Sequence, residues 1–396
     1  MNKADNRVRG FRASSVTAGL KKNKTFDMAL IFSDQEATAA GVFTANKVKA
    51  APVLISREHI KSGKVRAIIA NAGNANACTG DKGMENARLT AELAARDLGI
   101  KPEEVLVAST GVIGAQLDMD KIEKAIPDLA KGLSPDGIPG AAEAIMTTDS
   151  FSKISWFDGK AQDIPYRVIG MAKGAGMIMP NMATMLCFIL TDIKIEFSEL
   201  KKALSSSVEK TFNRINVDGD TSTNDTVLIL ANGMAGNGPL STDDYDEFSI
   251  GLQHVMTELS TMIVKDGEGA TKVVCVKVKG AVDEKDAVTA ARTVANSSLV
   301  KTAFYGQDPN WGRIMAALGR ADIQMNEDEV AIWVDDIKIV EGGLGIGSDQ
   351  EEKAAIKMKN TNFSITIDLN QGEYEDQVTT CDLTHEYVSI NADYRT

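Results

Sequence analysis

Between residues 170 and 185 the chain reads Gly-Met-Ala-Lys-Gly-Ala-Gly-Met-Ile-Met-Pro-Asn-Met-Ala-Thr-Met, and an apolar run over 186–190 follows at once. A small residue, Ala183, precedes Thr184, behind a flexible glycine segment and ahead of a buried strand. Such an order suits a chain that cuts itself between Ala183 and Thr184 to expose an N-terminal nucleophile. A threonine hydroxyl is a weak nucleophile alone, but the free α-amine of the same residue, with a pKa of about 7.7–8.0, can serve as its base. No histidine is then needed. His59, His254 and His385, the only histidines, lie far apart without the short spacing of a zinc site, and no metal is expected. A Ser-His-Asp arrangement built across the fold from one of them is the minority reading.

Other segments could complete such a site. Ser109-Thr110-Gly111-Val112-Ile113-Gly114 follows an apolar stretch at 105–107 and puts a hydroxyl and approachable backbone N–H groups at a strand end. That turn can form an oxyanion hole; beside a credible nucleophile this outranks an ordinary strand-to-helix turn. The Asn- and Gly-rich loop at 71–80 suits substrate contact or, more commonly, backbone capping. Thr147-Thr148-Asp149-Ser150 either caps the next segment or offers a hydrogen bond to substrate. Lys173, in the glycine-rich segment, is suited to holding a carboxylate, against the alternative of a solvated lysine. Glu268, between two glycines, grips an amino group or is only a turn residue. The polar loops at 213–226 and 306–313 read as substrate-site wall or interface, the first lacking a full calcium pattern. The five methionines from 171 to 185 read as core packing, and the glycine run at 343–347 lacks dinucleotide spacing. The short polar tail at 391–396 reads as frayed.

These residues need a framework, and strand-like runs at 65–69, 105–107, 167–170, 186–190, 226–230, 273–278, 330–334 and 363–368 supply one. Amphipathic segments at 120–133, 197–212, 243–264 and 286–300 lie between them. The fold class is α/β, and short turns such as Asp335-Asp336 point to mixed or antiparallel sheets layered with helices rather than a doubly wound parallel sheet. The clearest breaks are at 132–140 and 232–241. With 396 residues, 43% hydrophobic and 25% charged, the chain can bury two or three substructures. A net charge of −12 argues against nucleic acid. The polar start and the lack of a long apolar span argue against a membrane and for a cytoplasmic protein. Cys78, Cys187, Cys275 and Cys381 are scattered and read as buried thiols.

Taken in order, residues 109–114, 146–149, 170–176, the Ala183-Thr184-Met185-Leu186-Cys187 junction, 218–225, 306–313 and 391–396 resemble the ornithine acetyltransferase family. The resemblance implies an N-terminal-nucleophile-like, self-cleaving acetyltransferase fold, DmpA-like in its layering, and a glutamate N-acetyltransferase of arginine biosynthesis. It implies an α chain of 1–183 and a β chain of 184–396, whose first strand packs with the α chain while the remainder forms a second subdomain. The two assemble as an α2β2 heterotetramer. By the same resemblance Thr184 is the nucleophile, Thr110 and Gly111 form the oxyanion hole, and Thr147, Lys173, Thr184, Glu268, Asn391 and Thr396 bind substrate. That last assignment replaces the reading of the tail as frayed. Acetyl would pass from N-acetylornithine to Thr184 and on to glutamate in a ping-pong cycle. No cofactor is implied; acetyl-CoA stays open as a second donor. An amidohydrolase or aminopeptidase of the same fold, with water as acceptor, is the alternative.

Overall fold

The computed structural model describes residues 6–179 and 185–393. The apolar runs form strands of two mixed sheets. The first sheet holds β1 (Phe11–Val16), β2 (Met28–Phe43), β3 (Lys64–Asn74), β4 (Val105–Val112), β5 (Lys153–Ala161), β6 (Ile164–Lys173) and β7 (Leu186–Thr191). The short β8 (Ile215–Asn216) belongs to the second sheet, and β9 (Thr226–Ala231) returns to the first. The order across the first sheet is β4-β3-β2-β9-β7-β6-β5, with β1 beside β2. Its β3–β4 and β7–β9 pairs are parallel and the others antiparallel.

β7 explains why the segment after residue 184 must be apolar. Every residue of Leu-Cys-Phe-Ile-Leu-Thr is buried, because the strand is covered on both faces. Cys187 and Ile189 pack toward helices Phe197–Lys210 and Thr242–Lys265, while Leu186, Phe188 and Leu190 join the opposite core with Ile68 and Leu106. A strand covered on both sides reads as a continuous apolar run, not an alternation. Each large side chain so buried contributes roughly 1.5–3 kcal/mol. Gly170 lets the long helix close onto β6: a Cβ there would lie 2.7 Å from Leu259 Cδ1. That helix starts at a Ser241 cap reciprocated by Asp244 and ends at Asp266, beside the polar centre described below.

The second sheet comprises β8, β10 (Val273–Ala281), β11 (Ala331–Val334), β12 (Ile337–Glu341), β13 (Leu344–Gly345), β14 (Asn362–Asp368) and β15 (Tyr374–Cys381), ordered β13-β12-β11-β14-β10-β15-β8. Helices Glu284–Ala295, Ser298–Gly306 and Trp311–Leu318 cover its apolar face through Ala291, Phe304 and Leu318.

The mixed, helix-covered sheets are those expected from the sequence, with local corrections. Residues 170–173 belong to β6, so only the later part of the glycine segment is free of regular structure. β4 runs on to Val112, which makes Ser109, Thr110 and Gly111 strand residues rather than a turn after the strand. The single helix expected over 286–300 is two, because Ser297 caps a new start by accepting from Val300 N–H. Cys187 and Cys381 are buried, but Cys275 is half-buried and Cys78 exposed. Residues 391–393 are not frayed: they close helix His385–Asp393.

Candidate active site

The strand ends β3, β4 and β6, the loop before β9 and the last helix converge on a cavity of about 180 Å³. That is below the roughly 300–1,000 Å³ of pockets for drug-sized molecules and suits one small metabolite. Thr110, Gly111, Thr147, Lys173, Glu268 and Asn391 all line it. Ala183, Thr184 and Thr396 lie outside the described residues. Leu186, two positions after Thr184, pairs with Lys173 on one side and Thr226 on the other, so the described end of β7 meets the cavity's cationic wall.

Gly111 can be nothing but glycine. Its φ is +127°, and a Cβ would lie 2.4 Å from the Gly73 carbonyl carbon of the paired strand. The Thr110 hydroxyl accepts from Lys173 Nζ at 3.4 Å, which leaves its own hydrogen free to donate elsewhere. The loops behind them are braced by carboxamides. Asn224 Nδ2 donates to Ala75 O at 2.6 Å and Ser109 O at 2.8 Å, Asn74 Nδ2 donates to Ala115 O at 3.1 Å, and Asn76 Nδ2 to Gly83 O at 2.9 Å. Asn74 and Asn76 thus brace backbone, the commoner of the two uses expected for the 71–80 loop.

Lys173 ends β6 with only 2% of its surface exposed, so it is not the solvated lysine that composition alone would favour. Burial pushes its pKa down, opposed by the Asp149 carboxylate 4.0 Å away. Asp149 is fixed from three sides: Lys153 Nζ donates at 2.7 Å, Gly174 N–H at 2.6 Å and Thr147 N–H at 2.9 Å. Burial opposes its ionisation, yet Lys173 and Lys153 hold its pKa down at about 2. Lys153 also donates to Asp266 at 2.5 Å, and Ser150 donates to the same carboxylate. A buried chain of alternating charge, Lys173–Asp149–Lys153–Asp266, therefore backs the cavity.

The opposite rim is acidic. Glu268 is held by its N–H donating to Ala175 O at 2.9 Å and by Asn391 Nδ2 donating to Oε2 at 2.8 Å. Gly176 makes room for it, since a Cβ there would stand 2.4 Å from the carboxylate. Asp218 accepts from Met177 and Ile178 N–H at 2.6 and 2.8 Å and from the Tyr387 hydroxyl at 3.3 Å. Burial raises its pKa, offset in part by those N–H groups. None of the three histidines lines the cavity, and no group of metal-binding side chains occurs among the described residues. Nor is any described helix long and apolar enough to cross a membrane.

Sequence reasoning flagged the 213–226 loop as a site wall, and its Asp218, Asp220 and Asn224 do line the cavity; the 306–313 segment does not. It missed Tyr387, which carries no distinguishing pattern, and Lys153. The latter left no distinguishing signal either, because its strand, Lys153–Ala161, carries further polar residues at Ser155, Asp158 and Lys160.

A family model described as the ArgJ family matches residues 12–396. The chain belongs to the ArgJ family. The arginine biosynthesis bifunctional protein ArgJ of Geobacter sulfurreducens is 50% identical over 391 residues, covering 98% of this chain and 100% of the relative. That of Desulfotalea psychrophila is 48% identical over 390 residues, covering 98% and 99%. The crystal structure of the Bacillus halodurans protein of the same name is 40% identical with a TM-score of 0.50, covering 52% of this chain and 98% of that chain. The ArgJ match bears out the family resemblance drawn from the sequence, and the chain is an acyltransferase enzyme of arginine biosynthesis.

Proposed function

We propose that the chain cleaves itself between Ala183 and Thr184 and then transfers acetyl from N2-acetylornithine to glutamate through an acetyl-Thr184 intermediate, releasing ornithine. The observation that carries this reading is the polarity of the cavity: one fully buried cation, Lys173, faces the acidic pair Glu268 and Asp218 across a space sized for one amino acid. Lys173 pairs with the substrate α-carboxylate, a charge-assisted bond strengthened by exclusion of water. Glu268 takes the distal amine, and Thr147 and Asn391 add hydrogen bonds along the chain of the substrate, with Thr396 completing the set. Thr110 and Gly111 stabilise the oxyanion that forms when Thr184 Oγ attacks the acetyl carbonyl. The neutral α-amine of Thr184 takes the hydroxyl proton and returns it to the leaving nitrogen.

Acetyl-CoA acts as a second donor in this reading, consistent with the bifunctional naming of the relatives. The pieces 1–183 and 184–396 pair as an α2β2 assembly in the cytoplasm. That the Bacillus halodurans chain is spanned almost end to end by about half of this one supports a two-piece mature protein. The test is an assay with N-acetylornithine and glutamate. Equal yields of ornithine and N-acetylglutamate, parallel double-reciprocal lines and an inactive, uncleaved Thr184→Ala chain are expected. Acetate released in the absence of glutamate would instead identify a hydrolase, and an active Thr184→Ala protein would refute the mechanism.

A further inference from the structure

Asp225 has no part in the reading above, yet it is 0% exposed and immediately precedes β9. Its backbone carbonyl accepts from Thr44 N–H at 3.0 Å. Its Oδ1 accepts from Met185 N–H at 3.0 Å, and Thr226 N–H donates to Met185 O at 3.0 Å, so residues 225 and 226 grip Met185 on both sides. The nitrogen held by Oδ1 is bonded to the carbonyl carbon of Thr184. The carboxyl is therefore anchored on the peptide unit next to the one to be cut.

Its second oxygen is the anomaly: Oδ2 is buried with no hydrogen-bond partner among the described residues. Asp27, also fully buried in this sheet, shows what a structural aspartate looks like. It accepts four backbone N–H groups, from Ala18, Gly19, Leu20 and Lys21, at 2.6–3.0 Å. Asp225 lacks that cage, and an ionised carboxylate so poorly paired costs far more than the neutral acid. Burial drives its pKa well above the usual carboxylate range; the Met185 N–H, nearby hydroxyls and the Lys173 charge offset only part of this. A buried carboxyl group with a raised pKa and one oxygen uncommitted is thus hydrogen-bonded to the peptide unit that follows Thr184.

We propose that Asp225 is the proton donor for the self-cleavage before Thr184. The inference rests on the cleavage proposed above and adds its missing acid. As Thr184 Oγ forms its bond to the Ala183 carbonyl carbon, the C–N bond breaks with its electron pair left on the Thr184 nitrogen. That nitrogen takes the proton from Asp225, and the proton lost by Oγ returns to the carboxylate. The products are an ester and a free amine, and the acid is regenerated. Water then splits the ester into the Ala183 carboxylate and the Thr184 hydroxyl.

The experiment follows cleavage of the purified full-length chain over time by intact mass, with unfolding temperature measured in parallel. Asp225→Asn keeps an oxygen for the Met185 N–H but has no acidic proton, and its cleavage is expected to slow by about 100-fold or more, the usual contribution of general acid catalysis. Asp225→Glu restores a proton and is expected to cleave within about tenfold of wild type. Asp225→Asn cleaving at the wild-type rate overturns the proposal. If Asp225→Asn also unfolds at a lower temperature, Asp225→Glu decides: restored cleavage supports the acid role, and a folded but uncleaved Asp225→Glu overturns it. A wild-type chain that never cleaves would overturn the proposed maturation itself, a result distinguishable from either variant outcome.

Discussion

Lys153 and Lys173 share the carboxylate of Asp149 and are both shut away from solvent, but Lys173 lines the cavity and Lys153 lies behind it. Lys153, at the start of β5, is saturated: it donates to Asp149, to Asp266 and, at 3.4 Å, to Phe151 O. Lys173, on the cavity wall, has only long contacts, 3.4 Å to Thr110 and 4.0 Å to Asp149. A buried charge whose donors are all used holds the fold together. One left with long contacts beside a cavity has binding capacity to spare, which an incoming carboxylate can take up.

Removing each lysine in turn separates the two roles. Lys153→Met leaves Asp149 and Asp266 short of their buried partner and is expected to cost about 3–5 kcal/mol of stability, read from denaturant unfolding. Lys173→Met is expected to leave the fold much closer to wild type but to lower kcat/KM for acetyl transfer by about 100-fold, the loss of one charged hydrogen bond worth roughly 3 kcal/mol. Equal stability losses in the two variants would erase the distinction.

A gentler probe acts on the acidic rim. Gly176→Ala puts a methyl group where the Glu268 carboxylate stands, and a displacement costing about 1–2 kcal/mol should lower kcat/KM roughly tenfold. Acid supplies another probe. The folded pKa of Asp149, about 2, lies below the ordinary value of about 3.9, so its contribution is complete above that ordinary value and lost as pH falls toward 2. Wild type should therefore lose more stability between pH 5 and pH 3 than Asp149→Asn, by roughly 1 kcal/mol. Lys173 has the same direction of dependence at higher pH, because its depressed pKa likewise means that the folded state sheds a proton that the unfolded chain still holds. Its burial cost fades as pH rises toward the ordinary lysine value, while carboxylate binding weakens, so the alkaline limb of kcat/KM should fall earlier than an ordinary lysine would set it and vanish in Lys173→Met. The smallest effect belongs to Tyr387→Phe, which deletes one 3.3 Å hydrogen bond to Asp218 and should change kcat/KM by no more than about fivefold.

The same contrast shows what a sequence can reveal. Leu186 to Leu190 announced a strand buried on both faces because continuous burial leaves a continuous apolar run. Gly111 was legible beside Thr110 because a close approach between strands admits only glycine. Lys173 and Glu268 could be named, but whether they were solvated depended on Gly174, Gly176 and Asp149 folding around them from separate segments. Lys153 and Tyr387 are tied to the site by pairings more than a hundred residues apart, Lys153 with Asp266 and Tyr387 with Asp218, and no local pattern encodes those. β2, sixteen residues long, went unanticipated for a similar reason: its Ser33-Asp34-Gln35-Glu36 centre interrupts the apolar pattern where the β3 pairing shifts register.

Everything proposed for the cavity depends on a threonine that the chain must free for itself. The most direct test is the mass spectrum of the purified protein under denaturing conditions, with N-terminal sequencing of each piece. Two pieces are expected, one beginning Thr184-Met185-Leu186; a fully active protein that remains a single 42.4 kDa chain would refute self-cleavage as the source of the nucleophile.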